Sequence, residues 1–311
     1  MPKEQSDDVF RRKTVISNIE LMGQLENGVF TETACSADVH SNYPLSRCFW
    51  AGKTGFQDVV IAESPTYGRV LFLDGELQSA SADEAIYHEH LVHPVLSAYS
   101  DIPNKKVLVV GGGEGATVRE VLRWSASSVV SVDWVDIDGD LVNLCRQHLG
   151  WGLPSVYEDS RLTFYPMDIN KFLDRVGTPV YDVIILDLPD PDVDELILDN
   201  SQSDRLYGTK FNARILSHLS GNGGLVSHCG PIRPGTDEKV CRSGLHWLRT
   251  TLFDGMHLAP YHVCIPSFQG SWGFLMNASP LETDPFPAGL RVMDKLTRHM
   301  AFNWPAYWRT L

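Results

Sequence analysis

One strand–loop–helix segment constrains the fold of this chain more than any other feature. The apolar run Val107–Val110 leads into Gly111-Gly112-Gly113-Glu114-Gly115, and a helical stretch starts at Ala116. Glycines let a backbone come close to a ligand, and the helix behind them offers unpaired N–H groups. The segment is therefore typical of the phosphate- or nucleoside-binding start of a doubly wound α/β fold.

The chain after this loop continues to alternate between strand and helix. Val129–Val135, Arg161–Tyr165 and Val183–Leu186 predict three further buried strands, with a helical stretch through Cys145 after the first. Such alternation predicts right-handed βαβ units and a parallel sheet. Gly224–Ser227 and Gly273–Met276 predict later strands. We therefore expect an α/β fold with a Rossmann-like domain.

The part of the chain before the glycine loop has a different texture. Between residues 30 and 77, short β-like runs such as Val59–Ile61 and Val70–Leu73 are separated by turn residues, which predicts a small antiparallel sheet. We expect an N-terminal extension over residues 1–29, a β-sheet domain over 30–82, and a Rossmann-like catalytic domain with a C-terminal helix over 83–311.

Composition excludes several classes of protein. Hydrophobic residues make up 43% of the 311 residues, no apolar run reaches the ~18–20 residues of a membrane span, and the N-terminus lacks a signal-peptide core. The net charge of −13 disfavours nucleic acid and anionic lipid as partners. Six cysteines lie far apart without metal-ligand spacing. We expect a cytoplasmic protein with reduced cysteines and no metal site.

The next strand ends on an acid that suits a nucleoside. Asp136 lies about 20 residues beyond the glycine loop, where a carboxylate can accept both hydroxyls of a ribose. The spacing Gly111-x-Gly113-x-x-Ala116 also fits a dinucleotide fingerprint. The loop alone therefore leaves NAD and S-adenosylmethionine open as ligands.

Two further acids bear on this choice. Glu114 stands in the middle of the loop, between Gly113 and Gly115, where it would repel a pyrophosphate and attract a cationic ligand. Asp168 follows the third strand, at a position that suits either the exocyclic amine of an adenine or the N-cap of a helix. Glu114 favours a cationic nucleoside such as a sulfonium.

A second acidic motif follows the fourth strand. The motif Asp187-Leu188-Pro189-Asp190-Pro191 lies at the carboxyl end of that strand, the edge where open α/β sheets bind ligands. Two carboxylates three residues apart, stiffened by prolines, can hold a positively charged amine. Magnesium is the alternative ligand, but no residue pattern nearby indicates a nucleotide phosphate. The motif therefore favours an amine.

Taken together, these motifs resemble the polyamine aminopropyltransferases, the spermidine synthase family, from about residue 48 to residue 276. The segments that carry the resemblance are Gly55–Asp58, Leu73–Gln78, Asp83–Glu89, His93-Pro94, Gly111–Gly115, Asp136–Asp138 and Asp187–Pro191. The sequence is more similar to the thermospermine synthase branch at Glu114, in Asp187–Pro191, in Cys264–Phe268 and in Trp272–Phe274.

The resemblance implies a Rossmann-like S-adenosylmethionine-dependent transferase fold and a set of site residues. The donor contacts that it implies are Gln57, Gln78, His88, Glu114, Asp136 and Asp168, together with the loop glycines Gly111, Gly113 and Gly115. It implies Asp187 as the catalytic acid–base residue, assisted by Tyr87, and Asp190 as the anchor of the acceptor. On the acceptor side, Phe268 replaces a tyrosine of the family and His228 a glutamine.

The function that the resemblance implies is transfer of the aminopropyl group of decarboxylated S-adenosylmethionine to a polyamine, for which we expect spermidine or a similar triamine. It also implies a homodimer or homotetramer that contacts through the N-terminal sheet. Phe268 and His228 keep one alternative open, an N-methyltransferase that uses S-adenosylmethionine on a small amine or guanidino compound. An NAD-dependent dehydrogenase would leave Asp83–Glu89 unexplained, and a non-catalytic partner subunit would not require Asp187, Asp190, Tyr87 and Glu114 together.

Overall fold

A computed structural model describes residues 28–33, 40–175, 177–193, 196, 205–232, 244–278 and 285–304. The chain forms two compact units that meet in sequence between Ser81 and Ala82. Among the described helices, none is both long enough and apolar enough to cross a membrane.

The N-terminal unit contains two antiparallel sheets. Its strands are β1 (Val29–Thr33), β2 (His40–Pro44), β3 (Arg47–Lys53), β4 (Asp58–Ser64), β5 (Gly68–Leu73) and β6 (Glu76–Ala80). Strands β1 and β2 pair with each other, and β3 to β6 follow one another in a four-stranded antiparallel sheet. The buried rings of Phe30 and Phe72 lie 4.1 Å apart, so the two sheets share an aromatic core. The expected N-terminal antiparallel β-structure is confirmed.

The second unit contains seven strands and eight α-helices among its described residues. In chain order they are α1 (Glu84–Ala98), β7 (Lys105–Gly111), α2 (Ala116–Leu122), β8 (Val129–Asp136), α3 (Gly139–His148), α4 (Pro154–Tyr157), β9 (Leu162–Pro166), α5 (Ile169–Leu173), β10 (Tyr181–Asp187), α6 (Thr209–Ser217), β11 (Leu219–Ile232), α7 (Gly244–Thr250), β12 (Ala259–Ile265), β13 (Gly270–Met276) and α8 (Lys295–Ala301). The strand order is β12-β13-β11-β10-β7-β8-β9, and β13 is antiparallel to both of its neighbours.

The central strands are apolar along their whole length because helices cover both faces of the sheet. Val107 and Val109 of β7 belong to the core on one face, whereas Leu108 and Val110 belong to the core on the other. The expected α/β fold class, with a mostly parallel sheet, is confirmed.

The sheet topology identifies the carboxyl edge of the parallel strands as the place where a ligand is expected to bind. The chain leaves β7 for β8 on one side and returns to β10 on the other, which makes the carboxyl ends of β7 and β10 a topological switch point. There, Gly111 is the register partner of Asp187. Asp136 ends the neighbouring strand β8.

Candidate active site

The first two glycines of the loop allow it to lie directly against Asp187. The N–H of Gly112 donates to the backbone oxygen of Asp187 over 2.8 Å. A Cβ on Gly111 would overlap that same oxygen, and one on Gly112 would come within 2.6 Å of the Asp187 carboxylate. Both glycines adopt positive φ, at 82° and 71°. This close approach sets the position of Asp187 at the end of β10.

Two hydroxyl groups fix the carboxylate of Asp187. Tyr87 of α1 donates to Oδ1 over 2.7 Å, and Thr117 of α2 donates to Oδ2 over 2.5 Å. The structure therefore brings Tyr87 and Asp187 together, as the sequence predicts. Sequence reasoning missed Thr117, whose only signal is its place in the first turn of the helix after the loop.

Tyr87 acts as a hydrogen-bond donor to Asp187. Burial raises the pKa of Tyr87 well above its usual value, and the charge of Asp187 and the hydrogen bond to it raise this pKa further. The hydroxyl therefore keeps its proton across the physiological range, and it orients Asp187.

Glu114 forms an ion pair with a buried histidine. Nε2 of His88 lies 3.0 Å from Oε1 of Glu114, and Nδ1 of His88 lies 3.1 Å from Oε2 of Glu84. Burial alone would lower the pKa of His88, but the hydrogen bonds and charges of Glu114 and Glu84 raise it to about 10. His88 is thus an imidazolium that pairs with the carboxylate of Glu114. A direct contact between His88 and the donor remains a prediction.

Glu84 is the second carboxylate that pairs with His88, and the sequence analysis did not predict it as a site residue. Burial alone would raise its pKa, but His88 and then Arg119 hold it far below the usual range of a glutamate. Nη2 of Arg119 lies 2.8 Å from Oε2 of Glu84. The charge pair between α1 and α2 therefore supports Glu114 through His88.

Asp136 lies on the other side of the glycine loop. Its Oδ1 accepts the N–H of Asp138 over 2.8 Å. Burial raises the pKa of Asp136 and the hydrogen bond from Asp138 lowers it; with the charges of Asp138, Asp187 and Glu114, which also raise it, this pKa is about 7. Asp136 is thus a carboxyl group that gains from a hydrogen-bond donor such as a ribose hydroxyl.

The remaining loop glycines form a surface without side chains. A Cβ on Gly113 would lie 2.9 Å from a methyl of Leu141 and 3.2 Å from Oδ2 of Asp136. Gly115 has φ of 83°, and a Cβ there would meet the hydroxyl of Tyr157 at 2.7 Å. The loop thus offers backbone and the single carboxylate of Glu114, which suits a cationic nucleoside.

Three further donor contacts that the sequence predicts stay predictions. Asp168 caps α5, where its side chain accepts the N–H of Lys171 over 3.2 Å. Its expected contact with an adenine remains a prediction beside this structural role. Gln57 precedes β4 and Gln78 lies half-buried in β6, both in the N-terminal unit. Their contact with a donor also remains a prediction.

Aromatic rings lie around Tyr87, the residue that donates a hydrogen bond to Asp187. The ring of Phe268 lies 6.3 Å from that of Tyr87 and 4.8 Å from that of Trp272. The rings of His228 and Trp272 stack with their centroids 6.2 Å apart and an interplanar angle of 21°. Trp272 was not among the predicted site residues.

A hydrogen bond fixes the turn that carries Phe268. The backbone N–H of Ser267 donates to the buried carboxylate of Asp83 over 2.7 Å.

His228 and Asp190 face each other at the rim of this aromatic cluster. Nε2 of His228 is hydrogen-bonded to the backbone oxygen of Leu188, and Nδ1 lies 3.6 Å from Oδ1 of Asp190. His228 is 3% exposed, whereas the side chain of Asp190 is 46% exposed. The structure therefore brings together Asp187, Asp190, His228 and Phe268, the four residues predicted for catalysis and acceptor binding beside Tyr87.

The charge of the edge as a whole favours cations. The carboxyl groups of Glu114, Asp136, Asp187 and Asp190 lie at or just after the ends of three neighbouring strands. Within the described part of the chain, no group of three or more His, Cys, Asp or Glu residues could hold a metal ion.

Comparison with known proteins agrees with this geometry. Residues 84–285 match the spermine/spermidine synthase domain, and residues 28–81 match the spermidine synthase tetramerisation domain. The chain belongs to the spermine/spermidine synthase family. The expected family is thereby confirmed, and with it the enzyme class of a transferase.

Curated members of the family are a third or more identical to this chain over the aligned residues. It is 39% identical to the polyamine aminopropyltransferase 2 of Pseudomonas aeruginosa over 246 residues, which are 79% of the chain and 66% of that relative. It is 36% identical to the polyamine aminopropyltransferase of a Synechococcus species, covering 85% of the chain and 86% of the relative. Identity to the enzyme of Sulfolobus acidocaldarius is 34%, with 86% and 87% covered.

Solved structures share the fold of this family member. A spermidine synthase in complex with the transition-state analogue AdoDATO superposes with a TM-score of 0.77 at 22% identity, covering 91% of this chain and 94% of the other. The spermidine synthase from Thermotoga maritima gives a TM-score of 0.73 at 21% identity, covering 91% and 93%.

Proposed function

We propose that this site transfers the aminopropyl group of decarboxylated S-adenosylmethionine to a nitrogen of a polyamine. The observation that carries the proposal is the carboxylate of Asp187, held by Tyr87 and Thr117 at the switch point beside Glu114. The names of the relatives, polyamine aminopropyltransferases, support the same reaction.

The reaction forms a carbon–nitrogen bond and breaks a carbon–sulfur bond. The donor's sulfonium supplies an electrophilic propyl carbon and leaves as a thioether, 5′-methylthioadenosine, with the electron pair of the broken bond. The chain's own residues must present a neutral amine in line with that carbon and exclude water. Asp187 takes up the proton that the amine loses, and Tyr87 and Thr117 keep its carboxylate in a fixed direction.

Glu114 selects the donor in this proposal. The decarboxylated donor has an ammonium and no carboxylate at the end of its aminopropyl arm, so the charge of Glu114 attracts it. Ordinary S-adenosylmethionine would bring a carboxylate toward Glu114 and be repelled. Asp136 accepts the ribose hydroxyls, while Asp168, His88, Gln57 and Gln78 remain proposed donor contacts.

His228 and Asp190 hold the acceptor in this proposal. Nε2 of His228 donates to the carbonyl of Leu188, which leaves Nδ1 as the ring atom that contacts the amine beside Asp190. The carboxylate of Asp190 attracts a second, charged nitrogen. Phe268 contributes an aromatic face without a hydroxyl, which favours contact with the methylene chain.

Replacing Glu114 tests the donor side. We expect Glu114→Gln to raise the KM for the decarboxylated donor roughly 10- to 100-fold, because a charge-assisted contact of about 1.5–3 kcal/mol is lost. Asp190→Asn is the matched variant, for which the KM of the acceptor should rise instead. Steady-state kinetics with each substrate varied in turn measures both. A donor KM unchanged in Glu114→Gln would remove Glu114 from this role.

Asp136 makes nucleoside binding depend on pH. Its pKa of about 7 means that the free site is partly protonated near neutrality. A ribose that donates both hydroxyls prefers the ionised form, so binding lowers this pKa and releases a proton. We expect the affinity for 5′-methylthioadenosine, which lacks the aminopropyl ammonium, to increase as pH rises from about 6 to about 8. Calorimetry in buffers of different ionisation enthalpy measures the proton.

Asp136→Asn provides the control for this pH dependence. The variant should bind 5′-methylthioadenosine more weakly and with the same affinity across that range of pH. Affinity of the natural chain that stays constant between these pH values would show that Asp136 does not ionise on binding.

Product analysis tests the proposed function itself. The enzyme is incubated with decarboxylated or ordinary S-adenosylmethionine and with a panel of diamines, triamines and guanidino compounds. We expect an aminopropylated polyamine and 5′-methylthioadenosine from the decarboxylated donor, detected by mass spectrometry. Methyl transfer from the ordinary donor, without aminopropyl transfer from the other, would overturn the proposal in favour of an N-methyltransferase.

We also propose that the chain assembles into a homodimer or homotetramer in the cytoplasm. The match of residues 28–81 to a tetramerisation domain supports assembly through the N-terminal sheet. We propose that residues 30–82 form this assembly domain and that residues 83–311 form the catalytic domain. Light scattering of the purified chain should give the mass of a dimer or a tetramer.

A further inference from the structure

A C-terminal strap, defined here as residues 285–304, begins where the match to the synthase domain ends. It contacts the two helices that carry Tyr87 and Thr117. Oγ of Ser97 at the end of α1 donates to the carbonyl of Pro285 over 2.8 Å. The side chain of Arg123 after α2 donates to the carbonyl of Gly289 over 3.3 Å.

A buried carboxylate anchors the middle of the strap. Glu89 of α1 is 0% exposed and accepts three consecutive backbone N–H groups, from Arg291 over 2.8 Å, Val292 over 2.9 Å and Met293 over 2.7 Å. A buried carboxylate with three N–H donors is a strong, directional anchor. It fixes the backbone of the strap against the first turns of α1.

The same anchor places the positive charge of Arg291 against Glu84, the buried carboxylate that pairs with His88. The guanidinium of Arg291 contacts Oε1 of Glu84, and Oε2 of Glu84 pairs with Nδ1 of His88. His88 in turn pairs with Glu114 through its other nitrogen. A continuous chain of ion pairs therefore runs from the strap to the acid that faces the donor.

We propose that the C-terminal strap positions the donor-binding acid, with Arg291 acting through Glu84 and His88 on Glu114. Arg291 is a positioning residue, because it contacts neither substrate. The inference rests on the proposed function only in assigning the donor's ammonium to Glu114. It predicts that the strap affects the ammonium end of the donor more than the nucleoside end.

Two ligands separate these ends of the donor. Decarboxylated S-adenosylmethionine carries the ammonium, whereas 5′-methylthioadenosine has the same nucleoside and lacks the aminopropyl arm. We expect Arg291→Met to weaken binding of the first roughly three- to tenfold, in the lower part of the range for coupled side chains, and to leave binding of the second unchanged. Removing a positive charge would by long-range electrostatics tighten the binding of a cation, so weakening must come from lost positioning.

Two variants complete this calorimetric experiment. Arg291→Lys keeps the charge and should restore most of the affinity. Lys295→Met removes a positive charge from an exposed position on the same strap, where solvent and salt screen it, so neither ligand should bind more weakly than to the natural chain. Equal weakening of both ligands in Arg291→Met, or no weakening of either, would overturn the inference.

Hydrogen exchange keeps this test separate from the proposed function. If the natural chain binds neither nucleoside, it is the proposed function that fails. The inference then depends on the amides of His88 and Glu89, which should exchange faster in Arg291→Met than in Lys295→Met. Equal exchange in the two variants would contradict a positioning role for the strap.

Discussion

The Asp187→Asn variant is expected to lose a factor of about 10² to 10⁴ in kcat, the usual contribution of a general base. An asparagine has nearly the same shape, but it cannot take up the proton of the attacking amine. Its amide group also offers only one oxygen to the two hydroxyls of Tyr87 and Thr117, which now donate to separate oxygens of Asp187. The effect should fall on kcat, because the contacts that bind the donor remain. Stopped assays with both substrates saturating measure it.

Asp254→Asn is the matched control for this variant. Asp254 is exposed in the loop between α7 and β12, so the same chemical change there should leave kcat as it is. A thermal unfolding curve shows whether Asp187→Asn is folded at the assay temperature. A folded Asp187→Asn variant with nearly normal kcat would remove Asp187 from its catalytic role.

Of the variants proposed here, Gly111→Ala is expected to lower the free energy of unfolding most. With φ of 82°, alanine at this position costs about 1–2 kcal/mol in backbone strain. The added methyl also overlaps the backbone oxygen of Asp187, which cannot rotate away. Overpacking of this kind adds about 1–3 kcal/mol. We therefore expect the free energy of unfolding to fall by roughly 2–5 kcal/mol, measured by denaturant titration.

Gly255→Ala separates the two parts of that loss. Gly255 has φ of 75°, and a Cβ there would meet no atom within 4 Å. Its variant should therefore lose only the strain of about 1–2 kcal/mol. Gly111→Ala should also lower kcat about 10²-fold if the strand end that carries Asp187 shifts by about 1 Å. Equal stability of the two variants would contradict the close packing of the loop on β10.

The sequence predicts the strands and the strand-end acids of the site because both depend on local sequence patterns. Val107–Val110 and Val183–Leu186 are apolar at every position, as strands with helices on both faces must be. Since parallel strands end at one edge, the acids that follow them, Asp136 and Asp187, had to lie near the glycine loop. The fold class and the family were therefore predictable.

The ion pair between Glu84 and Arg119 was not predictable, since it depends on the packing of two helices. Glu84 and His88 lie four residues apart on α1, but Arg119 reaches Glu84 only when α1 lies against α2, and sequence spacing gives no sign of that contact. Asp168 shows a second limit, because a residue at the end of a strand is also at the start of a helix. Its side chain caps α5, and the sequence left both roles open.

A crystal structure with a transition-state analogue, such as the one bound to the related spermidine synthase, tests the central claim most directly. The claim is that acids at the carboxyl edge of the second unit's sheet bind a cationic nucleoside donor and guide an amine toward it. We expect the nucleoside against Gly111–Gly115, its ammonium on Glu114, and the reacting nitrogen within hydrogen-bond distance of Asp187. A nucleoside bound with the side chains of Glu114 and Asp187 directed away from it would contradict the claim.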